Sequence, residues 1–391
     1  MTTTPRSGDR SLLRRMNIHA ALLGIRDGHH TVTGLADQLG ISRTAAEDVV
    51  RDLSDLGWIA PAEAPASAGP GRPARSYRFA AESGHVVGLD IGVHKILGIV
   101  ADLAGNPRAS HKVSVDEDAS AADRLDLATS VVDACLAEAG LDSASVWCAG
   151  VGSPGVIDAA GTVTRYGGNG LPGWLGLDLA ETLSARWGVP VRVESDNNLG
   201  TIAEHWRGSA QDARDVVYVL SGNRTSAGIL IGGSLYRGHS GGSGLVGALP
   251  QLGWAEAPGH VEALAGTGVE PTREAMFLAA RDGVPHALTA LDGFAASIAT
   301  GVVAMSLAVD PELIVLGGGI SRGGDIILDA IRAHIDDLHP HAPRVVLSTL
   351  GDESVAMGAV RIALDAIDAQ LLASVQEGSR FPSPSRDILT A

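Results

Sequence analysis

The residues best suited to chemistry in this 391-residue chain lie in separate stretches. Ser42-Arg43-Thr44 sets a guanidinium between two hydroxyls. Such a fork bonds guanine edges bidentately, and hydroxyls bond any base. Arg72 and Arg75 lie on either side of Pro73 in "AGPGRPARSYRF". A Gly/Pro-shaped tip with two arginines suits a narrow minor groove or flanking phosphates, while a solvated linker is the other reading. Arg78 alternates with Tyr77 and Phe79, as the exposed face of a strand would. Asp196 ends the apolar run in "VRVESDNN". A carboxylate there can hydrogen-bond a sugar, or it can cap a helix that begins at Asn198. Gly317-Gly318-Gly319 lacks the spacing of a dinucleotide loop. Cys135 and Cys148 form no metal-spaced cluster, and His339-Pro340-His341 reads as a solvated turn. No metal and no cofactor are expected.

Helices must position the first group. "RSLLRRMNIHAALLGI" reads as an amphipathic helix with Leu12, Leu13, Met16, Ile18, Leu22 and Leu23 as its apolar stripe. In "TVTGLADQLGISRTAAEDVVRDLSDLGWI", a short helix carries Leu35 and Leu39, Gly40 turns the chain, and Ser42 caps a second helix. That helix buries Ala46, Val49, Val50, Leu53 and Leu56. This is the helix-turn-helix pattern, whose second helix enters the major groove by its N-terminus, although a plain helical hairpin has the same outline. "SYRF" would return as the second strand of a wing.

Charge separates the chain into two parts. Residues 1–80 hold ten Arg against eight acidic residues, a net of +2, which leaves −18 on the other 311. An acidic body repels phosphates, so nucleic acid must be met by the first eighty residues. From residue 86 short β segments alternate with helical stretches at 121–139, 176–187, 198–206, 291–308 and 322–337, which argues an α/β fold with two similar halves. No signal peptide and no stretch of membrane-spanning length is apparent, so a cytoplasmic protein is expected.

"LDIGVHK", "GSPGVID", "LPGWLGLDLAETL", "VPVRVESDNN", "GGSLYRGHSGG", "DPELIVLGGGIS" and "SVAMGAV" resemble, in order, the segments of the ROK family of repressors and sugar kinases. The resemblance covers about 86–370 and implies a two-lobed actin-like, hexokinase-like ATPase fold. A winged helix-turn-helix before it resembles the family's regulators, giving domains at 1–80 and 81–391. By the same resemblance Asp196 stands at the sugar-kinase base, and Asn169 and Glu262 stand near the sugar. Other positions depart from the kinases. The first phosphate loop has Val93 where they have glycine, and the second, Gly222-Asn223-Arg224-Thr225-Ser226-Ala227-Gly228, keeps only its outer glycines. Added side chains hinder the close backbone approach that a phosphate cradle needs. Leu245 replaces a sugar-contacting Glu, Ala248 replaces a zinc-binding His, and only His260 remains of the zinc loop.

The expectation is therefore a non-catalytic DNA-binding regulator, a repressor, that contacts operator DNA through Ser42, Arg43, Thr44, Arg72 and Arg75. Its sugar-type ligand would lie against Asn169, Asp196 and Glu262, and palindromic operators imply a homodimer or homotetramer. An ATP-dependent sugar kinase with an accessory N-terminal unit, and a regulator controlled by a protein partner, are the competing readings.

Overall fold

The computed structural model describes residues 7–26, 28–62, 75–165, 170–222 and 224–389. The N-terminal unit runs α1 (Ser7–Gly24), β1 (His29–Thr31), α2 (Val32–Leu39), α3 (Arg43–Leu56), β2 (Ile59–Ala62) and β3 (Ser76–Phe79). Gly40, at φ 63°, ends α2, and the Ser42 hydroxyl accepts the Ala45 N–H at 3.2 Å to start α3. β3 pairs antiparallel with both β1 and β2, with Ile59 opposite Phe79. Ala46, Val49, Val50 and Leu53 are buried as expected, and Leu56 partly so.

The stripe expected on α1 is not one stripe. Ile18 and Leu22 are buried with Ala21 and Ile25, while Leu12, Leu13, Met16 and Leu23 are exposed. At 100° per residue the first group lies on one side of the helix and the second on the other. Only the first faces α2 and α3.

Two five-stranded sheets follow. The first lobe contains β4 (His85–Ile91), β5 (Lys95–Asp102), β6 (Pro107–Ser114), α4 (Ala121–Ala139), β7 (Val146–Ser153), β8 (Val156–Ile157), β9 (Val163–Arg165), α5 (Leu179–Trp187) and β10 (Val191–Ser195). After α6 (Asp196–Arg207) the second lobe contains β11 (Val216–Ser221), β12 (Thr225–Ile231), β13 (Ser234–Leu235), α7 (Ala257–Glu262), α8 (Arg273–Arg281), α9 (Pro285–Val309), β14 (Leu313–Gly318), α10 (Asp325–Leu338) and β15 (Arg344–Leu347). The chain then forms α11 (Ser354–Gln376). The strand orders are β6-β5-β4-β7-β10 and β13-β12-β11-β14-β15. In each, three antiparallel strands are extended by two parallel ones, so a single topology is used twice.

α11 joins the parts. It packs on β4, β7 and α6, and close approach requires glycine at the contacts. A Cβ on Gly150 would stand 1.9 Å from the Ala359 carbonyl oxygen, and one on Gly358 2.0 Å from that of Leu199. The same helix holds the N-terminal unit: Arg26 pairs with Asp368 through two bonds of 2.8 and 2.5 Å, and Arg15 donates to the Val375 carbonyl at 3.1 Å. Trp58, fully buried, stacks on Phe79, meets Trp147 and Phe381 edge-on, and donates its indole N–H to the Pro382 carbonyl at 2.7 Å.

One expectation on membrane-spanning length is corrected. α9 has 25 residues and is apolar enough to cross a bilayer. Here it is a core helix, burying Phe294, Ile298 and Val302 against α7, α8 and α10.

Candidate functional site

A cleft of about 980 Å³ lies where the strand ends of both lobes meet. This is the size of a small-ligand site. On the first lobe, β4 delivers Asp90, β5 delivers Lys95, and the junction of β10 and α6 delivers Asp196. Asp196 is not the helix cap that the sequence allowed. α6 starts at Asp196 itself, with Ser195 in the cap position, and the Asp196 carboxylate accepts the adjacent Asn197 N–H at 2.8 Å while lining the cleft. Burial, and then the nearby Asp90 carboxylate, push Asp196 up to about 7. Asp90 is also pushed up by burial, although Lys95 opposes this at 3.1 Å.

The residues around Asp196 explain its position. Glu194 accepts from the Ser195 N–H at 2.9 Å and from Asn198 Nδ2 at 2.9 Å, and pairs with Arg237 at 2.6 Å. Asn197 Nδ2 reaches across to the Ala227 carbonyl at 2.5 Å. Those three side chains are spent on structure. Asp196 alone of the segment presents a carboxylate to the cleft.

The second wall carries two arginines, Arg273 and Arg322, with the carboxylates of Glu274 and Asp352. Arg273, the first residue of α8, donates from Nη1 to the Ser221 carbonyl at 3.0 Å and lies against Gly319. Arg322 pairs with both Glu274 and Asp352. Asp352 also accepts Lys112 Nζ at 3.0 Å, and its carbonyl accepts Lys95 Nζ at 3.0 Å. Burial pushes the Asp352 carboxyl up, but Lys112, Lys95 and Arg322 outweigh it and hold the group below its ordinary range. Sequence reasoning gave these residues no role. The one signal available was Arg273 in the first turn of a helix, where the macrodipole disfavours a cation.

In each of the two loops that would cradle phosphates in a kinase, a glycine N–H is taken within the loop itself. The Gly92 N–H donates to the Lys95 carbonyl at 2.9 Å, and the Gly222 N–H to that of Arg224 at 3.0 Å. Beneath the first loop the buried Arg124 guanidinium takes the carbonyls of Gly92 and Val93 at 2.7 and 3.1 Å. Leu245 and Ala248 line the cleft with apolar surface.

Glu262 is a correction. It is exposed at the end of α7 and does not line the cleft. α7 turns Ala257 and Val261 inward, and the next residue is rotated about 100° away. His260 is engaged as well, with Nε2 3.2 Å from Ser297 Oγ. Asn169 lies outside the described residues, so of the expected ligand set Asp196 alone is seen at the cleft.

On the N-terminal unit, Ser42, Arg43 and Thr44 are exposed at the start of α3. Arg43 makes only a 3.1 Å pair with Glu47 and is 72% exposed, so its fork is available. Ser42 already accepts one bond from its own helix, which leaves its O–H and a second lone pair. Arg75 is exposed beside β3, and Arg72 lies outside the described residues. Arg78 is held by Glu82 through bonds of 2.8 and 2.6 Å, the structural role that its alternation suggested.

Comparison with known proteins separates two sets of relatives. A glucokinase of Streptomyces coelicolor is 28% identical over 319 residues, 72% of this chain and 98% of its own length. A xylose repressor of Caldicellulosiruptor bescii is 22% identical over 395 residues, 91% of this chain and 97% of its own. A solved ROK family transcriptional regulator, described as a homologue of the E. coli Mlc protein, shares the fold with TM-score 0.68 and 20% identity, over 94% of this chain and all of its own. The ROK family model matches residues 86–252 and 258–366. With most of both lobes matched in this way, the chain belongs to the ROK family.

Proposed function

We propose that this ROK protein is a sugar-responsive repressor: a DNA-binding transcriptional regulator whose cleft takes an effector and does not phosphorylate it. The carrying observation is the reach of its relatives. The glucokinase accounts for 72% of the chain, while the xylose repressor accounts for 91%. We assign the additional length to the N-terminal unit of three helices and a small sheet, which lies before the family match that starts at residue 86, and read it as a winged helix-turn-helix spanning about residues 1–80. The free fork of Arg43 at the start of α3 supports that reading. So do the N–H groups of Gly222 and Gly92, each already bonded within its own loop and not offered to a phosphate. Operator DNA and a second copy of the chain are its partners, in the cytoplasm, with each copy presenting one α3 to a half-site.

The path from cleft to DNA runs through α6 and α11. Asp196 begins α6, Ser354 and Val355 at the start of α11 line the cleft, and the far end of α11 holds Arg26 and Arg15. A ligand that favours one lobe arrangement would shift the two α3 helices of a dimer relative to each other.

Electrophoretic mobility shifts on the protein's own promoter region test the assignment. Arg43→Ala should weaken binding by about 1–3 kcal/mol and relax one base position. Unchanged retardation would remove the assignment. The second reading, a sugar kinase, is favoured by Asp196, a carboxylate in the cleft with a pKa near that of a useful base. ATP-dependent phosphorylation of glucose or xylose by purified protein at ordinary kinase rates would establish it, and its absence is expected.

A further inference from the structure

The solvent side of α1 is apolar and regularly spaced. Leu13, Met16, Ala20 and Leu23, all exposed, recur at intervals of three, four and three residues, and Leu12 extends the patch at one end. That spacing keeps a seam along one side of a helix that packs on a second helix. The seam lies opposite Ile18, Ala21, Leu22 and Ile25, which hold α1 to its own unit, and among the described residues nothing covers it. From Met16 to Ile25 the sequence has no Asp, Glu, Lys or Arg, although a helix side that faces water is normally charged. Single exposed leucines are ordinary on a protein surface. Here four of the large exposed apolar side chains belong to α1, and among the described residues no other helix or strand has more than two.

The sizes along the seam identify what fits it. Turned end over end about a two-fold axis level with Ile18, α1 meets a second α1 with Leu13 opposite Leu23 and Met16 opposite Ala20. The long Met16 side chain then sits over the smallest residue of the seam, and the outer layers match leucine with leucine. A two-fold contact has to be self-complementary in this way. In a parallel pair Met16 would meet Met16 and Ala20 would meet Ala20, which crowds one layer and leaves the next empty. No like charges are brought together, because Arg14 and Arg15 at one end of the seam are held by Asp52 and by the Val375 carbonyl.

The same pairing suits DNA. α1 packs on α3, and packed helix axes lie about 8–10 Å apart. With the seam opposite the core side, the order α3, α1, second α1, second α3 runs nearly in line and sets the α3 axes roughly 24–30 Å apart. Half-sites one turn apart lie about 34 Å from centre to centre, a difference of less than a helix diameter.

We propose that the exposed seam of α1 pairs antiparallel with the same seam of a second copy, and that this contact sets the spacing of the two α3 helices. The spacing argument rests on the repressor reading; the pairing rests on α1 alone. About three turns of helix bury less than the roughly 1,200 Å² of an independently stable interface, so the seam closes between copies that DNA or high concentration has brought together.

Disulfide trapping on the full chain tests the pairing. Leu13→Cys/Leu23→Cys is oxidised with the protein's own promoter fragment, and again without DNA at high protein concentration. On one helix the two positions are about 15 Å apart and cannot bridge, so a disulfide between them joins two copies. The native Cys135 and Cys148 are buried. The double variant should give a covalent dimer in both settings, at a yield at least about tenfold above either single variant or wild type. No dimer in either setting, or an equal yield from Leu13→Cys alone, the sign of a parallel pair, would overturn the proposal. Ala20→Glu sets a charge at an exposed position in the middle of the seam. Its thermal midpoint should match that of wild type, while retardation of the promoter fragment weakens by about tenfold or more and the cross-link is lost from the triple variant. Unchanged retardation or an undiminished cross-link would equally overturn it. If wild type retards its promoter and the double variant forms no dimer, the seam falls and the repressor reading stands. If the dimer forms in a protein that retards no DNA, the pairing stands and the repressor reading falls.

Discussion

In the first lobe the strand ends that meet the cleft carry Asp90 on β4 and, one residue past β10, Asp196; in the second the ends of β11 and β14 carry Ser221 and Gly318, with Arg273 and Arg322 above them. The strand order is the same in both. What differs is the side chains added to it: Asp90 and Asp196 beside Lys95 on one wall, Arg273 and Arg322 beside Glu274 and Asp352 on the other. The backbone fixes where strand ends converge, and a few substitutions at those ends decide what they attract. A cleft of this kind discriminates by orientation, because a ligand with one anionic end fits in only one direction.

The comparison holds only while the two walls face each other, and α11 against α6 keeps them so. Gly358→Val brings side-chain atoms onto the Leu199 carbonyl, where even a Cβ would stand 2.0 Å away. The expected loss is about 3 kcal/mol or more, read as a lower urea midpoint. An unchanged midpoint would mean that the two helices slide without penalty, and the lobes could not then transmit a ligand-induced shift through them.

Asp352 is where the charges of both lobes meet. Asp352→Asn leaves Lys112 and Arg322 with half an acceptor, and a loss of about 1–2 kcal/mol is expected, larger at low salt. Its pKa is depressed in the folded protein, so its contribution is present above the ordinary carboxylate range and is lost as pH falls through the folded value. Wild type and variant should therefore converge in acid. A difference that does not change as pH falls through the folded value would show that the side chain acts by shape instead of charge.

Asp196 behaves in the opposite way. Its pKa rises from 3.8 to about 7 on folding, so the folded chain holds a proton that the unfolded chain releases, and ionisation costs stability progressively between those values. Asp196→Asn should then be the more stable protein at pH 8, by on the order of 1 kcal/mol, with the gain shrinking to nothing near pH 4. A gain that does not change with pH would place Asp196 outside the buried, carboxylate-flanked setting that defines the first wall.

Local structure was legible in the sequence; the charge constellation was not. The hairpin of β4 and β5, the bounds of α4, and the Ser42 cap each follow from periodicity and end signals within a dozen or so residues. α9 begins at Pro285, six residues ahead of its expected start, and a proline at the first helical position was the unread sign. Asp196 was found by resemblance, and the structure sets aside its reading as a helix cap. Lys112, Arg322 and Asp352 lie up to 240 residues apart, and only the edge strand β6 and the turn before α11 bring them together. No local pattern encodes such a meeting.

The smallest predicted effect concerns a residue that sequence reasoning put at the ligand. Glu262 was placed there because the family carries a carboxylate after the zinc loop, and this chain has lost the Cys-rich part of that loop. What replaces it is the short helix α7, in which Val261 is buried and Glu262 faces solvent. Glu262→Gln removes a charge with no ion-pair partner among the described residues and no place in the cleft lining. Stability should change by less than about 0.5 kcal/mol, and affinity for glucose or glucose 6-phosphate should not change measurably. Asp196→Asn, assayed alongside, should alter the glucose response. If Glu262→Gln instead weakens sugar binding as much as Asp196→Asn does, then α7 must swing into the cleft when ligand arrives. The first wall would gain a carboxylate from the second lobe, and the division of charge between the lobes would hold only for the ligand-free protein.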